Sequence, residues 1–177
     1  MKGENIQVRM FGYLEHSKKL LQNEGYLLPT IFADTPFSNS LMILPISLDE
    51  GADEALDIAG KVLRSYNVKD YYVVSESYHI IEGDDPDRYE ECINVIYAGG
   101  KDRKLMSIPY KKTDSGEYFF GDVLDIVITN ISGSVLDLYL LKERVPKMNE
   151  AEKAQYRMLF PMRDQEEYIS GKKETVH

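Results

Sequence analysis

The chain has 177 residues, with 21 Lys and Arg against 30 Asp and Glu, a formal charge of −9, 43% hydrophobic and 29% charged residues, one Cys, 13 Tyr and no Trp. That balance fits one globular domain with its own core and excludes a disordered chain. The acidic surplus disfavours nucleic acid and anionic membranes, which are met by clustered Lys and Arg; outside the first helix basic residues adjoin only in pairs, among them Lys111-Lys112, Lys172-Lys173 and Arg103-Lys104.

No run nears the roughly 18 apolar residues of a membrane span, and the opening MKGENIQVRMFGYLEH lacks the apolar core of a secretory signal. A single Cys92 excludes an internal disulfide and a cysteine zinc cluster. A cytoplasmic protein without cofactor or bound metal is expected.

From Asn5 to Glu24, Ile6, Met10, Tyr13, Leu14, Leu20 and Leu21 recur at helical spacing, and Gly25 supplies a stop. His16 falls on the flank of that stripe. Tyr26 to Ala33 and Leu41 to Ser47 read as two strands joined by the turn-forming DTPFSNS, with Pro29 and Pro45 pointing to edge positions or bulges.

Asp49 to Tyr66 is the most amphipathic stretch, with Ala52, Ala55, Leu56, Ala59, Val62, Leu63 and Tyr66 in one stripe. Asp and Glu lead it and Lys61 and Arg64 close it, so the helix dipole explains the acidic cluster without a metal.

IEGDDPDRYEE is a loop. Its aspartates lack the alternation, central Gly and terminal Glu of a calcium loop. Cys92 to Ala98 and Lys104 to Lys112 form a hairpin across GGKD, a second turn at Asp114 to Gly116 leads into Glu117 to Phe120, and Val123 to Ile131 is a further β run. Val135 to Leu141 fits a strand better than a helix. Asn149 and Glu152 form a capping box for a short helix that Pro161 ends.

The segment with the oddest polar content is DYYVVSESYHII, Asp70 to Ile81. As a strand it sends Tyr72, Val74, Glu76, Tyr78 and Ile80 to one face and Tyr71, Val73, Ser75, Ser77 and His79 to the other. Glu76 therefore stands in an apolar and aromatic row, where a carboxylate either marks the strand reaching solvent or is held by a partner. Glu76 and His79 are the candidate catalytic pair, as general base and acid, provided the strand ends or bulges between them. Asp34, the acidic loop or Cys92 would supply a further group.

An apolar strand after an amphipathic helix, ending Val73-Val74-Ser75-Glu76 with Tyr78 two places on, resembles a class of small uncharacterised prokaryotic and phage proteins whose strand ends Ser-Glu-Ala-Trp. Ser77 and Tyr78 stand here for the Ala-Trp pair. The resemblance spans residues 26 to 98 and implies one helix, strand and polar strand-end unit, with no activity attached.

The expected architecture is α+β: a single antiparallel, mostly meander sheet, two amphipathic helices packed on one face, and a short C-terminal helix, in one domain over 1–160 with a polar tail over 161–177. Phosphate-loop, dinucleotide, zinc-protease and nucleophile-elbow motifs are absent. The leading function is a non-catalytic binding or self-associating module, with a second copy or another protein as partner, no nucleic acid and no membrane; no small-molecule ligand is legible. The alternative is a small hydrolase or metal-assisted enzyme at Glu76 and His79.

Overall fold

The computed structural model describes residues 2–34, 40–46, 52–80, 89–100, 102–126, 141–161 and 163–164. Helix α1 spans Lys2–Glu24 and stops where Gly25 takes φ 79° and its N–H closes on the Leu21 carbonyl at 2.9 Å. Helix α2 spans Ala52–Ser65. It ends with Asn67 at φ 53°, the Val68 N–H reaching back to Leu63 at 3.0 Å, a left-handed close that Asn tolerates. Helix α3 spans Glu150–Leu159 and has the expected capping box, with Asn149 and Glu152 exchanging hydrogen bonds.

The strands are β1 (Thr30–Asp34), β2 (Ser40–Pro45), β3 (Asp70–Ile80), β4 (Tyr89–Gly99), β5 (Asp102–Lys112), β6 (Tyr118–Phe120), β7 (Leu124–Ile126) and β8 (Arg163–Asp164). They form one sheet in the order β6-β5-β4-β3-β1-β2-β8, with β7 also on β5. Every pairing is antiparallel. The α+β class and the β3-to-β6 meander are as expected.

β6 and β7 share one side of β5, and Pro109 explains the break between them. Proline has no N–H to offer there, so only its carbonyl pairs, taking the Gly121 N–H at 2.8 Å. A Cβ on residue 121 would lie 2.9 Å from the Pro109 ring, which is why glycine fits. Pro29 and Pro45 prove to be strand-end residues: Pro29 precedes β1 and accepts from Ile46 N–H at 2.8 Å, and Pro45 closes β2 opposite Thr30.

The two long helices do not share a face. Leu56, Ala59, Val62 and Leu63 of α2 pack with Ile31, Tyr71, Val73, Ile96 and Leu105, whereas Met10, Leu14 and Leu21 of α1 pack with Phe32, Tyr72, Val74, Ile93, Val95 and Ile108. β3 and β4 are apolar on both faces, as fully covered strands are, and so demand a helix on each side. α3 sits outside α2, the Tyr66 hydroxyl donating to the Phe160 carbonyl at 2.6 Å. Residues 135–140 of the expected strand, the turn at 130–134, the loops at 35–39 and 81–88 and nearly all of the 161–177 tail lie outside the described residues, and Leu141, where the strand was expected to end, is a buried turn residue.

Candidate functional site

β3 carries Glu76 to the rim of the α1 face. There its Oε1 accepts from the Tyr110 hydroxyl of β5 at 2.5 Å and its Oε2 from the Leu27 N–H at 3.2 Å. Tyr118 of β6 donates to the Gly25 carbonyl at 3.3 Å. Three strands thus pin the segment that leaves α1. Burial first, and then the Glu76 carboxylate, pushes the Tyr110 hydroxyl far above the ordinary phenol range, so it stays a neutral donor.

The β3–β4 ladder runs unbroken from Asp70 opposite Gly99 to Ile80 opposite Tyr89. With no bulge, positions 76 and 79 alternate to opposite faces. The His79 side chain lies outside the described residues. Asp34 is ion-paired with Arg9 at the far end of β1, level with the start of β3, and the strand rise puts it about 20 Å from Glu76. Cys92 stands opposite Ser77, on the face away from Glu76.

Beyond Glu76 on the α1 face, Tyr78 and Tyr89 meet edge to face, with centroids 5.1 Å apart and planes at 90°. They are 64% and 62% exposed. Tyr26 and Leu28, each 57% exposed, flank the Leu27 that Glu76 holds. Register puts Glu91 beside Tyr78 and Tyr110, and Lys112 beside Tyr118, whose ring its ammonium overlies at 5.1 Å. The result is an aromatic ledge with one charge of each sign.

The α2 face holds a different set at the same end of the sheet. Asn94 Nδ2 donates to Ser77 Oγ at 2.5 Å, Cys92 Sγ lies 3.3 Å from that hydroxyl and from the Ser77 carbonyl, and Ser75 and Ser107 are buried beside them in the register. Burial pushes the Cys92 thiol up, outweighing the serine hydrogen bonds that pull it down. That is the state of a packed thiol and not of a nucleophile. A shallow pocket of about 270 Å³ adjoins, with Glu90 and Lys111 3.9 Å apart on its wall.

No family model, no curated protein and no solved structure matches this chain. Among the described residues, no three His, Cys, Asp or Glu side chains converge as metal ligands, and no helix is long and apolar enough to cross a membrane. The aspartates of the 84–87 loop are outside that description.

The sequence reading reaches Glu76 but not its partners. Tyr110 lies 34 residues away and carries no local mark, because the register of two hairpins brings it there. Asn94 and Ser107 do carry one: polar residues in otherwise apolar strands, paired across the ladder.

Proposed function

We propose that this chain is a non-catalytic interaction module that self-associates through the aromatic ledge of Tyr78 and Tyr89. The observation that carries the reading is two large rings, each more than three-fifths exposed, fixed edge to face at one end of a rigid sheet. Exposed aromatic clusters of that kind are interface anchors. A second copy is the favoured occupant because a two-fold interface must complement itself, and the ledge carries both Glu91 and Lys112 beside its rings. In an acidic chain, such local pairing offsets the general repulsion between copies.

Two observations favour this reading over a hydrolytic one at Glu76 and His79. The Glu76 oxygens are both taken up by Tyr110 and Leu27, and the nearest thiol is buried and protonated. A free, buried Cys92 also fits a reducing, cytoplasmic setting. Light scattering on the purified protein tests the proposal. A dimer at micromolar concentration that becomes monomeric in Tyr78→Ser/Tyr89→Ser, with circular dichroism unchanged, is the expected result; a wild-type monomer, or a dimer indifferent to both changes, overturns it.

A further inference from the structure

Positive charge gathers, among the described residues of this acidic chain, near the C-terminal end of α2. A surface pocket of about 360 Å³ there is lined by Arg64, Asn67, Lys142, Lys147, Met148 and Lys153. These cations are scattered in sequence, and the fold assembles them. The left-handed turn at Asn67 leaves carbonyls facing outward, and Lys142 Nζ donates to those of Val68 and Lys69 at 3.1 and 3.0 Å. Arg64 Nε donates in turn to the Lys142 carbonyl at 2.8 Å, which ties the two cations together.

Those bonds satisfy donors without cancelling charge. Lys153 is ion-paired with Glu150 at 2.8 Å, but Arg64, Lys142 and Lys147 meet no carboxylate among the described residues. The negative end of α2 is worth about half a charge, against three full positive ones. Cations held this close repel each other unless a counter-ion joins them.

We propose that the pocket binds a small soluble anion bearing a phosphate or diphosphate group. Lys142 and Arg64 form its anchored floor, Arg64 keeping its terminal guanidinium nitrogens for an oxygen pair. Lys147 is the exposed arm, and the Asn67 amide lies at the mouth. A dianion matches several cations better than a single carboxylate does. The chain's net charge of −9 repels long polyanions and anionic lipid, which leaves a small ligand as the occupant.

Titration calorimetry of the full chain with inorganic pyrophosphate at low salt tests this. One site of sub-millimolar affinity that weakens as salt rises is expected. Lys147→Glu is the decisive variant, because Lys147 has no hydrogen-bond or ion-pair partner among the described residues and its loss leaves the fold intact; affinity should fall roughly tenfold. Lys142→Met should lose more, with thermal unfolding followed separately because Lys142 also holds two carbonyls. Absence of binding at millimolar pyrophosphate, binding that Lys147→Glu leaves unchanged, or equal competition by sulfate at matched ionic strength would each overturn the proposal.

Discussion

Each long helix contains one glycine well inside it, Gly12 in α1 and Gly60 in α2, and their surroundings are opposite. A Cβ on residue 12 would meet nothing within 4 Å, whereas one on residue 60 would run into the Leu141 backbone carbonyl and come within 3.3 Å of Val145. α2 is locked by shape between the sheet and the 141–145 segment, while α1 lies over its face with an exposed back. The two faces of one sheet are therefore held differently. The α2 face depends on close aliphatic fit, and the α1 face on ring contacts, Tyr13 stacked on Phe32 at 4.4 Å and Tyr72 tilted against Tyr97 at 5.2 Å, with hydrogen bonds at its rim.

The same substitution should thus act with opposite signs on the two helices. Gly60→Ala gains about 1 kcal/mol of helix propensity but meets an overpacking cost of about 3 kcal/mol against a backbone atom, for a net loss near 2 kcal/mol. Gly12→Ala keeps the gain alone and should stabilise by up to about 1 kcal/mol. Urea unfolding of both variants measures the pair. A stabilised Gly60→Ala would mean that the 141–145 segment yields, and the contrast between the faces would be lost.

This contrast marks the limit of what sequence could show. The α2 stripe, the hairpin glycines and the Asn149–Glu152 capping box are local patterns, and they were legible because their physics is local. The opposite placing of α1 and α2 was not, since Tyr71-Tyr72-Val73-Val74 is apolar on both faces and periodicity cannot say which helix covers which. Tyr26 to Pro29 looks β-prone but stays outside β1, its Leu27 N–H going to the Glu76 side chain and not to a strand backbone. At the candidate site the sequence marked Glu76 as a carboxylate needing a partner. It did not show the partners of Tyr110, Arg64 and Lys142, which are set by tertiary packing.

The hydrogen-bonded rim differs from the shape-locked face in being removable one bond at a time. Glu76→Ala should cost about 2 kcal/mol, because it leaves the Tyr110 hydroxyl and the Leu27 N–H without their acceptor. Tyr110→Phe should cost less, and a double-mutant cycle between Glu76→Gln and Tyr110→Phe should give a coupling of about 1 kcal/mol. Additive losses would show that the two side chains are merely adjacent.

The smallest expected effect lies on α1 and tests its partial burial through pH. Half-burial first, then the charge of Lys19, holds the His16 pKa below its ordinary 6.5. Below that value the unfolded chain takes up a proton that the folded chain resists, so unfolding binds protons. The contribution is complete above pH 6.5 and is lost as pH falls through the lowered folded value. Between pH 6.5 and about 5, where most carboxylates remain ionised, wild-type stability should decline with falling pH, and His16→Gln should flatten that slope while changing little at pH 8. An unchanged slope would place the acid sensitivity of this chain among its carboxylates and leave α1 as open around His16 as it is around Gly12.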